Sequence, residues 1–136
     1  MSEQKKKMFL IKFPYWLGIV ADALWAVGLF FPKVYGILTS AHDFNPDLQF
    51  RLVMCIGGTL MTGWTFLLLW AVRKPIERRF VAFLTAFPVV FGLSIVVLID
   101  FLNGNKFIIW AFIKALIILV SMIVSYVLAC KMAKEK

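Results

Sequence analysis

Four apolar runs, each long enough to cross a lipid bilayer, leave this chain few ways to fold. They cover residues 13–31, 52–72, 80–102 and 107–130 of 136. Their lengths of 19 to 24 residues match the roughly 20 that a helix needs to span the hydrocarbon core. None alternates apolar and polar residues as a membrane barrel strand does. Hydrophobic residues make up 62% of the chain and charged residues 16%, and the mean hydropathy is +0.91. A soluble domain of this size needs more polar surface than that. The expectation is an all-α integral membrane protein: one domain, residues 1–136, built as an antiparallel up-down bundle of four transmembrane helices.

Charge gives the orientation. Lys5, Lys6, Lys7 and Lys12 precede the first run, and Arg73, Lys74, Arg78 and Arg79 join the second to the third. Lys131, Lys134 and Lys136 follow the fourth. The opposite side carries only Lys33, Arg51 and Lys106, a division of eleven against three, with Lys114 inside the fourth run. Lys/Arg-rich loops stay in the cytoplasm, so both termini are placed inside. The net charge of +8 is thereby a topology signal and calls for no nucleic-acid partner. The expected partners are the lipid bilayer and its anionic headgroups. The expected location is a prokaryotic cytoplasmic membrane. Lys5–Lys7 and the Ala21, Asp22, Ala23 triplet also outline a secretory leader, but the apolar run continues to Phe31, which favours a retained span.

Helix ends are marked by small residues and prolines. Asn45, Pro46 and Asp47 predict an N-cap, a first helical position and an acid in the first turn. Pro75 and Glu77 predict the same for the third helix, after a tight turn. Pro14 is expected to open the first helix and Pro32 to end or bend it. Asn103, Gly104 and Asn105 close the third, and Pro88 kinks it. Residues 33–44 are read as the one long loop, lying at the outer surface.

Each helix has one smaller, more polar face: Gly18, Asp22 and Ala26; Cys55, Gly58, Thr62 and Thr65; Thr85, Pro88, Gly92, Val96 and Asp100; Lys114, Ile118, Ser121 and Ser125. Small residues let membrane helices approach, so these faces are expected to meet. Tyr15, Trp16, Trp70 and Tyr126 are read as an inner aromatic belt, Tyr35 and Trp110 as an outer one. Trp25 and Trp64 lie deeper and either fill the core or line a cavity.

Ionisable groups inside a span are costly and therefore informative. Asp22 lies roughly 12 Å past Pro14 along a helix, and Lys114 roughly 10 Å past Phe107. In a core of about 30 Å their backbones differ in depth by only about 8 Å. Lys114 either reaches Asp22 or snorkels outward to Asp100. Asp100 stands at the negative end of its helix dipole and needs a cation. Arg51, Lys106 and Lys114 are the candidates for that ion-pair network.

Several chemistries find no residues. Cys55 and Cys130 fall near opposite membrane faces, too far apart for a disulfide, and there is no CxxC. His42 is the sole histidine, so no haem or zinc site is expected. No catalytic triad, P-loop or GxGxxG is present. No cofactor, metal or catalytic residue is expected.

Four spans with an acid in the first resemble the small multidrug resistance transporters. The chain differs in having aspartate for their glutamate, in its greater length, in lacking their surrounding motif and in its single-orientation charge bias. The segment Gly63, Trp64, Thr65, then Trp70, Ala71, Val72, Arg73, Lys74, Pro75, Ile76, Glu77, Arg78, Arg79 resembles uncharacterised small four-helix prokaryotic membrane proteins. That likeness covers about one helix and its turn and implies no activity.

Two function classes follow. In one, the protein is a noncatalytic membrane subunit or scaffold, in a homo- or hetero-oligomer, and its polar stripes serve packing. Alternatively it binds or moves a small hydrophobic or cationic ligand in a pocket anchored by Asp22, with Lys114, Trp25, Trp64 and Thr62 around it.

Overall fold

The computed structural model describes residues 3–39, 41, 43–104 and 109–134, the side chains of 109–111 excepted. These residues are helical, in turns or in short irregular links, with no strand among them. The helices are α1 (Glu3–Phe30), α2 (Pro32–Thr39), α3 (Leu48–Val72), α4 (Arg79–Leu84), α5 (Phe91–Leu102) and α6 (Ile109–Lys134). A wider, π-type turn, Thr85–Val90, joins α4 to α5. Four stretches are long and apolar enough to cross a membrane: Glu3–Phe30, Leu48–Val72, Arg79–Leu102 and Phe112–Lys134.

Several ends differ from the sequence reading. Pro14 does not open α1, which starts at Glu3 and takes the proline inside. The basic segment Lys5–Lys7 continues the helix beyond the apolar run. Residues 33–44 are not all loop. Pro32 takes the first position of α2, where its fixed φ suits a helix start and its missing N–H costs nothing. The Phe31 carbonyl then receives the N–H groups of Val34 and Tyr35 at 2.9 and 3.0 Å.

Asp47, rather than Asn45, caps α3. Its carboxylate accepts the Phe50 N–H at 2.7 Å, and its carbonyl accepts the Arg51 N–H at 3.0 Å, the two bonds expected of an N-cap. Pro75 does not start a helix either. Residues 73–78 form turns, in which Lys74 and Glu77 pair at 3.2 Å and the Arg79 guanidinium donates to the Ile76 carbonyl at 3.0 Å. Gly104 follows α5 at φ 100°, a backbone state that glycine adopts without a Cβ penalty.

The kink at Pro88 is present, and Phe87 leaves helical geometry at φ −139°, ψ 110°. It also changes which face is buried. Thr85 is buried, but Pro88 and Val96 of the expected stripe are exposed, and Ser94 is buried instead. A proline removes a backbone donor and forces a wider turn, so three- and four-residue steps counted across it fall out of phase.

Contacts divide the chain into two compact units: a terminal unit, Met1–Leu17 with Ala71–Lys136, and a central unit, Gly18–Trp70. In the terminal unit Ile11, Tyr15, Ala82, Ala86, Met122 and Ala129 are buried. Phe83 meets Tyr126 with ring centres 5.5 Å apart. In the central unit α1 and α3 approach at Gly58, where an added Cβ would lie 3.2 Å from the Phe30 ring and 3.3 Å from Leu29.

Candidate functional site

Asp22 stands on α1 between Gly18 and Ala26, one turn to either side, and both of these are buried. Its own side chain is half-buried. Within the central unit no described group pairs with its carboxylate.

The other residues grouped with Asp22 stand as follows. Thr62 is half-buried on α3 and donates its hydroxyl to the Gly58 carbonyl at 2.8 Å. Trp64 is half-buried on the same helix and is not a free group. Trp25 is exposed on one side and meets the edge of Tyr35 with centres 6.1 Å apart. Lys114 belongs to the terminal unit and is exposed. Of the outer ionic set, Asp100 is half-buried and engaged, and Arg51 is exposed in the first turn of α3. Lys106 lies outside the described residues, as does His42.

Most span hydroxyls bond one turn back on their own helix. Thr59 donates to Cys55, Thr65 to Met61, Thr85 to Val81, Ser94 to Val90 and Ser121 to Ile118, all at 2.7–2.9 Å. Such bonds satisfy a hydroxyl where lipid offers no partner. Ser125 behaves differently. It is fully buried and donates to the Ile11 carbonyl at 2.8 Å, linking α6 to α1.

Tyr15, read from the sequence as part of the inner belt, is instead fully buried in the terminal unit. Its hydroxyl lies against the Ala82 backbone without a well-formed hydrogen bond. Its proximity to a basic, interfacial-looking segment concealed this, because helix α1 runs on past Pro14 to Glu3.

A pocket of about 320 Å³ lies at the other end of α1, lined by Pro32, Lys33, Gly36, Ile37, Ala41 and Phe44. Asp22 is not among its walls. Glycine shapes it: the Ala41 N–H bonds back to the Gly36 carbonyl at 2.8 Å, and a Cβ at Gly36 would come within 2.6 Å of the Ala41 oxygen. The glycine at this spot was the available sequence signal. Both cysteines are free. Among the described residues no group of three or more His, Cys, Asp or Glu is placed to hold a metal ion.

No family model matches the chain, and no curated protein or solved structure matches it.

Proposed function

We propose that this chain is a noncatalytic membrane subunit, lying in a prokaryotic cytoplasmic membrane with both termini inside and its long helices antiparallel. The observation that carries the reading is the disposition of its polar groups. Hydroxyls from Thr59 to Ser121 are engaged on their own helices, and Ser125 ties two helices together. Hydroxyls used this way are satisfied within the fold, and the Ser125 bond fastens one helix to another.

The orientation draws support from the terminal unit. Ser125 meets Ile11, and Phe83 meets Tyr126. Lys5–Lys7, Arg78 and Arg79, and Lys131 and Lys134 stand roughly one to two helical turns beyond those contacts. The three clusters that charge bias assigns to the cytoplasm therefore fit one end of that unit, where anionic headgroups are their partners.

Phe80, Phe83, Phe87 and Phe91 form an exposed column whose successive rings are 5.8, 6.5 and 5.2 Å apart. It offers a contact face for a second subunit. A photo-crosslinking residue at Phe87 is expected to give one discrete adduct with a membrane protein or a second copy in native membranes. Lipid adducts alone, from Phe87 and from the α3 control Leu60 equally, would remove the subunit reading.

Asp22 supports a second reading. A half-buried carboxylate without a partner in its own unit suits the anchor of a small hydrophobic cation, with Trp25 on α1 and Trp64 and Thr62 on α3 of that unit.

A further inference from the structure

We propose that the elbow between α1 and α3 is a binding site for an anionic phospholipid of the adjacent leaflet. The inference rests on the chain's being a membrane protein, and it goes beyond the subunit role.

The elbow is firmly built. Pro32 turns the chain out of α1, and α2 folds back on the last turns of that helix. A Cβ at Gly28 would stand 2.9 Å from Leu38 Cδ1 and 3.7 Å from the Tyr35 Cα. Aromatic contacts continue from Trp25 to Tyr35, Phe44 and Phe50, with centres 6.1, 4.7 and 5.8 Å apart. Asp47 then caps α3. Backbone and ring contacts thus support the described walls of the pocket.

Its walls are mixed in the way a phospholipid is mixed. Pro32, Ile37, Ala41 and Phe44 are apolar, and Lys33 brings an exposed ammonium. The volume of about 320 Å³ falls at the lower end for small-ligand pockets, enough for a phosphate-bearing headgroup but not for acyl chains. Those chains have a surface beside it: Phe31 is 60% exposed and Ile37 73%. Position selects a lipid over a soluble anion. The pocket lies where the apolar run of α1 ends, which in a spanning helix is the headgroup region, and α2 presents apolar side chains and a lysine together, as interfacial helices do. Lys33 is the one charged residue among the pocket's described walls, with the acids Asp43 and Asp47 outside them, and an ammonium beside headgroups favours an anionic lipid over a zwitterionic one.

The test uses the full-length protein in vesicles of phosphatidylcholine with a minor share of phosphatidylglycerol. One photoactivatable probe is a phosphatidylglycerol and the other a phosphatidylcholine, each reactive high in its chains, and adducts are mapped by peptide mass spectrometry. The phosphatidylglycerol probe is expected to label residues 32–44 about fivefold more than its counterpart. Lys33→Gln, an exposed change that leaves the fold intact, is expected to abolish that preference, and Lys33→Arg to keep it. Equal labelling of the elbow by both probes, or a preference unchanged in Lys33→Gln, would overturn the site. Absence of label along all four long helices would overturn it together with the membrane reading, whereas failure of the subunit role leaves the labelling pattern untouched.

Discussion

The Ser125 hydroxyl donates to the main-chain carbonyl of Ile11 across 2.8 Å, joining α6 to α1 through residues 114 apart in sequence. The acceptor lies three residues before Pro14, whose missing N–H leaves the Leu10 carbonyl without its helical donor. The tie thus fastens α1 beside its weakest point. Interhelical hydrogen bonds in membranes contribute about 0.6 kcal/mol on average and up to roughly 1.7. Ser125→Ala is expected to destabilise the protein within that range in denaturant titrations in bicelles. Ser121→Ala, whose hydroxyl bonds its own helix at Ile118, should be close to neutral. Equal effects would mean that the cross-helix bond contributes nothing of its own.

Glycines at the elbow differ in what stands over them. At Gly36 the obstacle is a main-chain oxygen, 2.6 Å from where a Cβ would be, while at Gly28 it is the end of the Leu38 side chain at 2.9 Å. Leucine tips rotate and backbones do not. Gly36→Ala should therefore cost about 1–3 kcal/mol and speed hydrogen exchange in α2, and Gly28→Ala should cost less. Gly63, with nothing within 4 Å, should accept alanine silently. A silent Gly36→Ala would show that the elbow adapts.

The four long helices were readable because apolar length is a property of sequence alone. The burial of Gly18 and Ala26 was legible too, since small residues on a regular helix let a neighbour approach. The stripe from Thr85 to Asp100 was not, because Pro88 changes the helical phase between its two halves. Nor was α2: eight residues led by a proline carry too little periodicity to separate a helix from a loop. Tyr15 looked interfacial because its depth was counted from Pro14 as a helix start. The Ser125 tie depends on helix rotation, which spacing within α6 does not fix.

Orientation can be read by cysteine accessibility after replacement of Cys55 and Cys130, both free thiols. A cysteine at Asp43, exposed after α2, is expected to react with a membrane-impermeant maleimide added outside intact cells. One at Lys74, exposed in the turn beyond α3, should react only after the membrane is opened. Labelling of Lys74→Cys from outside would reverse the assignment that eleven basic residues imply.

Asp22 separates the two functional readings. In the subunit reading its carboxylate costs the isolated chain stability, because desolvating a charge inside a span is unfavourable. Asp22→Leu should then raise the unfolding free energy by on the order of 2 kcal/mol and weaken any adduct formed through Phe87 only if the partner supplies a polar group to it. Asp22→Asn should raise the unfolding free energy by less, since the amide is uncharged but still polar, and tetraphenylphosphonium should leave the melting temperature of either protein unchanged. In the ligand reading the same cation stabilises the native protein by binding it, and Asp22→Asn abolishes the shift while still inserting and folding. Gly18 and Ala26 supply an internal control, since Ala26→Val enlarges the flanking surface without touching the charge. It should weaken the cation's effect if the ligand lies against that face. A melting shift that survives both Asp22→Asn and Ala26→Val would place the cation elsewhere and leave Asp22 to the subunit role.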